Sequence, residues 1–285
     1  TNRAMAFMDS CQSVSRPFFI QLSHYAVHTN IETTQASLDE VQATESGQRH
    51  RHQGMAGMTM DLDASLGQLL AKVDELGLDD NTYVIYLSDN GGVPNIPGAK
   101  KYERSLNEPL SRGKWDAMEG GLRVPFVVAG PGVPQNVATQ AHVWGADLLP
   151  TVADLAGGWS EAPDSLDGGS FAHVLRGAPS NEVLRPNTGM AFHVPYQNRI
   201  ALNRAHSAWV SGHYKLLKFH DNGEVRLFDL EQDLEEATDV VRQFPELARD
   251  MEADLMAYLK QVEAPRWQEG ITWKKDPFRS FESTH

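Results

Sequence analysis

The sequence predicts an α/β fold: a mostly parallel sheet covered by helices, followed by a small antiparallel sheet carrying one long helix. Three observations point to it. Apolar, β-branched runs at 18–23, 83–88 and 124–129 border on polar, glycine-containing stretches, as strands delivering side chains to the edge of a buried sheet do. Between the first two runs, Met55, Met58, Leu62, Leu66, Leu69, Leu70, Val73 and Leu76 recur at helical spacing until Gly77, which makes a βαβ crossover. Beyond a run rich in Gly, Pro and Asn from 158 to 189, the apolar segments become short and one is broken by Asp221-Asn222-Gly223, a hairpin turn.

Taken in order, the first strand lies within Arg16-Pro17-Phe18-Phe19-Ile20-Gln21-Leu22-Ser23 and empties into His24 and His28. Residues 32–54, polar and poor in large apolar side chains, read as an irregular insertion in which His50 and His52 are solvated. The second strand, Tyr83 to Ser88, ends abruptly in Asp89-Asn90-Gly91-Gly92. A polar loop with Gly113-Lys114 and Glu119-Gly120-Gly121 leads into the third, Val124 to Ala129, closed by Gly130-Pro131-Gly132. A helix is expected over 141–157, stopped by Gly157-Gly158. Short strands follow at 191–195, 208–210, 213–219 and 224–230, and an amphipathic helix at 244–262 carries Leu247, Met251, Leu255, Leu259 and Val262. The organisation this implies is a domain over 1–180 and an α+β subdomain over 185–285.

Asp89 and Asn90 offer only carboxylate and carbonyl oxygens, donors that suit Ca²⁺, or Mg²⁺, better than zinc. An ordinary Asx turn after a strand is the alternative for Asp-Asn-Gly taken alone. The chain of 285 residues has a net charge of −13, which argues against nucleic acid as partner, and it has neither a basic membrane-binding helix nor an 18-residue apolar run. Against that acidic background Lys100, Lys101, Arg104, Arg112, Lys114 and Arg123 form a local excess of cations, suited to attracting an anionic substrate or else a solvated loop.

These motifs, in this order, resemble the sulfatase family of the alkaline-phosphatase-like superfamily: its "PFF…H" strand is Pro17 to His28, its "SDNGG" is Ser88 to Gly92, and its "GK…EGGxRVP" is Gly113 to Pro125. Further matches are Gly145-Ala146-Asp147-Leu148-Leu149-Pro150, Gly212-His213-Tyr214-Lys215 and Leu227-Phe228-Asp229-Leu230, so the likeness runs over most of 15–260. The resemblance implies hydrolysis of sulfate esters, of carbohydrates or aryl alcohols, with Ca²⁺ and a formylglycine made from Cys or Ser in a C/S-x-P-S-R motif. It implies Asp89 and Asn90 as metal ligands, Lys114 and His28 as catalytic and sulfate-contacting residues, and His193 on the substrate side. It also implies an exported protein, periplasmic or extracellular, although no signal peptide is visible; no membrane partner is expected and the oligomeric state is left open.

The nucleophile motif, two further metal-binding aspartates, and a Lys and a His all precede the "PFF" strand in the family. None is found here, so the expectation is a C-terminal part of a sulfatase, inactive alone. Cys11-Gln12-Ser13-Val14-Ser15-Arg16 lacks the proline and spaces Cys from Arg by one residue too many, so Cys11 is read as a lone thiol. The alternatives are a phosphoesterase or phosphonate hydrolase of the same superfamily, in which the residue after the strand-end Asp is typically a metal-binding His, or a non-catalytic remnant that binds sulfated ligands.

Overall fold

The computed structural model describes residues 1–47, 52–94, 107–159, 163, 165–196, 204–266 and 279–280. The chain forms two compact units, one of Thr1–Ile85 with Val128–Gly132, the other of Tyr86–Val127 with Val133–His285.

The first unit opens with a helix the sequence reading did not anticipate, α1 (Asn2–Ser13), which buries Ala4, Met8 and Cys11 along one stripe. The expected strand over 18–23 is not one. Residues 16–25 form no ladder among the described residues, and Phe19 is 69% and Leu22 38% exposed. Their β-branched and aromatic character fits a pleated surface, but that preference makes a strand only where a neighbouring edge supplies hydrogen bonds.

The 32–54 segment is less irregular than expected, because Thr34 caps a helix, α2 (Gln35–Ala43), by accepting from the Ser37 N–H. Asp61 reinforces that cap. Its carboxylate accepts from the Thr33, Thr34 and Ser37 hydroxyls and the Thr34 N–H, and the Ser37 bond above all holds it down to about 2. The long crossover helix is present as α3 (Gln53–Glu75), with Leu76 as C-cap and Gly77 at φ 64 beyond it. His52, partly buried, caps α3: its Nδ1 accepts from the Met55 N–H.

Strand β1 (Val84–Leu87) pairs with β2 (Phe126–Ala129), preceded by the single-turn helix α4 (Glu119–Leu122). Tyr83 Oη donates to Pro131 O at one end, and Ser88 N–H donates to Pro125 O at the other. The two strands therefore run in opposite directions, not in common as the sequence reading held. The turn leaving β1 thereby meets the loop entering β2.

In the second unit the helix expected over 141–157 is shorter, α5 (Leu148–Leu155), since Asp147 diverts the preceding residues. The buried Asp147 carboxylate accepts from the Trp144 and Gly169 N–H groups and from Arg185. After α6 (Ala172–Leu175) comes the antiparallel sheet β3 (Met190–Val194), β4 (His206–Ser211), β5 (Tyr214–Phe219) and β6 (Val225–Asp229), paired in that order and followed by α7 (Pro245–Gln261).

This sheet is buried on both faces, with the period of two that strands impose. Trp209, Leu216 and Leu227 pack under Ala248, Met251, Leu255 and Leu259 of α7. Ala208, Val210, Leu217, Phe219 and Phe228 pack on the other side against Ala117 and Met118. That second contact explains why the units do not follow the 1–180 and 185–285 division. The loop before β2 is part of the core of the C-terminal sheet.

Candidate functional site

The site grows from two glycine-bearing turns knitted to each other through their backbones. Gly91 N–H donates to Gly121 O (2.9 Å) and Lys114 N–H to Gly92 O (2.9 Å). Asn107 closes the junction from the side: its Oδ1 accepts from Gly92 N–H (3.1 Å), while its Nδ2 donates to Gly92 O and Arg112 O (2.8 Å each). The glycines are required by proximity. A Cβ on Gly91 would stand 1.7 Å from Gly120 O, one on Gly120 2.4 Å from Ser111 O, and one on Gly121 2.4 Å from Asp116 O.

Outward from this junction point the chemical groups. Asp89 is exposed and makes no hydrogen bond to a described residue. Asn90 Nδ2 donates to Gly91 O (3.0 Å), which leaves its carbonyl Oδ1 for a ligand. Lys114 carries its Nζ 5.7 Å from the centre of the Trp115 ring and forms no ion pair among the described residues. Of the neighbouring cations, Arg112 pairs with buried Asp116 (3.1 Å) and Arg123 with Glu119 (2.6 Å); Lys100, Lys101 and Arg104, like His50, lie outside the described residues.

Beneath the junction lies a buried charge cluster. Lys215, fully buried on β5, donates to Glu119 Oε1 (2.9 Å) and stands 2.6 Å from Glu236 Oε1. Glu236 Oε2 accepts the Glu119 N–H (2.7 Å). Burial works against ionisation of both carboxyls. Lys215 and Arg123 nonetheless hold Glu119 below the ordinary range, whereas burial pushes Glu236 above it despite Lys215. His206 completes the underside: its Nε2 accepts the Ala117 N–H (3.0 Å) and its Nδ1 faces Arg204 O (2.8 Å), so it is neutral with the proton on Nδ1, and burial lowers it to about 4.

The family model described as Sulfatase matches residues 1–158, more than half of the chain. The chain belongs to the sulfatase family. A second model, N-sulphoglucosamine sulphohydrolase, C-terminal, matches 114–264 of this sulfatase. A sulfatase of Formosa agariphila is 30% identical over 273 residues, spanning 87% of this chain and 47% of that protein. Arylsulfatase G of Canis lupus familiaris is 29% identical over 262 residues, 84% and 46% respectively. The sulfatase chain thus spans about half the length of these curated relatives. The crystal structure of Ps i-CgsB matches with a TM-score of 0.73 at 27% identity, over 90% of this chain and 53% of that one, in keeping with an alkaline-phosphatase-like fold.

Of the residues the sequence singled out in this sulfatase, Asp89, Asn90 and Lys114 sit on the knitted turns. His28 lies in the first unit on an exposed turn, its Nδ1 2.8 Å from Thr29 O and its ring 5.5 Å from that of Tyr25. His193 is on β3 with both ring nitrogens engaged, Nδ1 by Ser207 Oγ and Nε2 by Pro265 O, each at 2.6 Å. Ser207 Oγ also meets His220 Nε2 at 2.7 Å. The Pro265 carbonyl can only accept, so the proton order runs His220 Nε2–H to Ser207, Ser207 to His193 Nδ1, and His193 Nε2–H to Pro265.

Cys11 is 6% exposed inside α1, which agrees with an inert thiol. It should resist a water-soluble disulfide reagent in the native protein and react at once in guanidinium; rapid native labelling would contradict its burial.

The sequence reading assigned no role to Asn107, Glu119, His206, Lys215 or Glu236, although Glu119 and Lys215 lie within motifs that it matched. A lysine in the middle of an apolar strand, Tyr214-Lys215-Leu216-Leu217, was the available signal. A further group, His213, Asp229 and Glu231, brings ligand atoms within 4.8 Å of one another, but Asp229 Oδ1 there accepts the Glu231 and Gln232 N–H groups as the cap of a turn.

Proposed function

We propose that this sulfatase chain is the part of a calcium-dependent sulfate ester hydrolase that supplies one side of the metal shell and the lysine contacting the sulfuryl group. The observation that supports this reading is the backbone junction that fixes Asn90 and Lys114 on adjacent turns. Asp89 and the Asn90 carbonyl are hard oxygen donors, and they fit Ca²⁺ as two of the six to eight oxygens it takes. Lys114 would set its charge against the sulfuryl oxygens as negative charge builds on them. The formylglycine, when present, supplies a hydrated aldehyde as the attacking group. Its motif does not occur in these 285 residues, so turnover requires a nucleophile from outside them.

Sulfated saccharides are the proposed substrate class, with support from the complex of Ps i-CgsB with k-i-k-neocarrahexaose, 26% identical over 90% of this chain. Export to the periplasm or exterior belongs to the same reading. A phosphoesterase built on zinc is disfavoured by Asn90, whose carboxamide stands where a soft-metal site would use imidazole.

Titration calorimetry on the 285-residue chain tests the assignments. Ca²⁺ should bind weakly and Asp89→Ala should abolish the heat, with stability changed by no more than about 0.5 kcal/mol because Asp89 is exposed. Lys114→Ala should weaken sulfate binding by roughly tenfold to a hundredfold, the worth of a charged hydrogen bond. The chain alone should not cleave an aryl sulfate. Turnover that survives Asp89→Ala, or Ca²⁺ binding indifferent to it, would overturn the reading.

A further inference from the structure

The single-turn helix α4 is the hub of the candidate site, yet nothing in it explains its own position. Gly121 O receives the Gly91 N–H of the metal-side turn, and Gly120 N–H donates to Ser111 O (2.8 Å) of the loop that carries Lys114. A four-residue helix has no stability of its own, since nucleation costs more than one turn returns. Its orientation must come from outside. That outside is Lys215 and Glu236. Glu119, the first residue of α4, is held by its side chain on Lys215 Nζ and by its main-chain N–H on Glu236 Oε2.

We propose that Lys215 and Glu236 are positioning residues: a buried ion triad with Glu119 that sets α4, and through Gly121 and Gly120 sets where Asn90 and Lys114 stand. Neither Lys215 nor Glu236 can touch a ligand, because their side chains are fully buried. The triad is an expensive way to obtain stability alone, since apolar residues of similar volume often stabilise a fold as well or better. What apolar residues would not supply is direction. A carboxylate gripped at Oε1 by Lys215 and at Oε2 by Arg123, with its own N–H tied to a second carboxylate, fixes α4 in rotation as well as in place. The roles of Asn90 and Lys114 rest on the function proposed above; the mechanical claim does not.

The experiment compares three proteins, each the full 285-residue chain: wild type, Lys215→Met, and the isosteric triple variant Glu119→Gln/Lys215→Met/Glu236→Gln. The triple variant leaves no unpaired buried charge and keeps the test available where Lys215→Met alone fails to fold. Amide hydrogen exchange is read separately over 111–123 and over the sheet at 206–230. The triad as positioning device requires exchange over 111–123 to rise about a hundredfold in the triple variant while 206–230 stays as in wild type. Sulfate affinity of the triple variant should fall to that of Lys114→Ala and should not fall further when Lys114→Ala is added, the non-additivity expected of groups acting through one another. Unchanged exchange over 111–123, or a rise matched over 206–230, reduces the triad to a stabilising contact and overturns the proposal. Absence of sulfate binding in wild type would strike the proposed function instead, and the exchange comparison would still decide the role of the triad.

Discussion

Gly91→Ala is expected to destabilise the second unit by about 3 kcal/mol and, with Ca²⁺ held as proposed above, to remove that binding with it. The new Cβ would lie 1.7 Å from Gly120 O, 2.7 Å from Gly120 C and 2.9 Å from Gly121 Cα, all of them backbone atoms that no rotamer change can move aside. One of the two turns must retreat, which adds an overpacking cost of roughly 1–3 kcal/mol to the loss of the Gly91–Gly121 hydrogen bond, worth about 1 kcal/mol. Gly67→Ala is the natural control. It lies in α3 with nothing within 4 Å of the added Cβ, so alanine there should stabilise by about 0.5–1 kcal/mol. Urea midpoints for the two variants should move in opposite directions, and an unmoved midpoint for Gly91→Ala would show that the turns are not locked as described.

Acid should unfold the C-terminal sheet well above the pH at which carboxylates alone would do so. Burial lowers His206 to about 4 and His220 to about 3, with the nearby His193 adding to the effect at His220, and lowers His193 itself. The folded values lie below the unfolded value of about 6.5, so the fold favours neutral imidazole. Above pH 6.5 this stability is fully present; as pH falls, the unfolded chain takes up protons that the fold refuses, and stability drains away down to the folded values near 4 and 3.

In that window each histidine contributes a slope of about 1.4 kcal/mol per pH unit. Arg112, His193 and Lys215 oppose protonation of His206, whereas the Arg204 carbonyl that faces its Nδ1 favours it. Glu236 and Asp116, raised by burial, act the other way and blunt the slope. Urea unfolding at pH 7.5 and 5.0 checks this. His206→Gln/His220→Gln, which keeps an acceptor for Ala117 and a donor for Ser207, should unfold with a much smaller difference between the two pH values; an unchanged difference would place the acid sensitivity elsewhere.

What was legible in the sequence was whatever geometry forces into a local pattern. Gly91, Gly92, Gly120 and Gly121 stand out because backbones cross there, and the sheet from β3 to β6 with α7 was readable from period and turn chemistry. The first strand was misread because Phe18, Phe19 and Ile20 have the propensity of a strand without a described partner to pair with. The opposite sense of β1 and β2 was invisible, because periodicity carries no direction. It also changes why Lys114 belongs with Asp89: the lysine precedes its strand, and only antiparallel pairing brings the entrance of β2 to the exit of β1. The pairing of Glu119 with Lys215 and Glu236 was not legible because they lie 96 and 117 residues away from it along the chain, where no spacing rule reaches.

Asn107 gives the site a property that its ligands do not. By accepting from Gly92 N–H and donating to Gly92 O, it staples the two ends of the 93–106 segment to each other, and with a third bond, to Arg112 O, it anchors them to the scaffold. Gly92 is thereby held at both of its backbone polar groups by one side chain. Both glycine-bearing turns therefore hang on one carboxamide, and Asn107→Ala would release Gly92 and the Arg112 end of the Lys114 turn together.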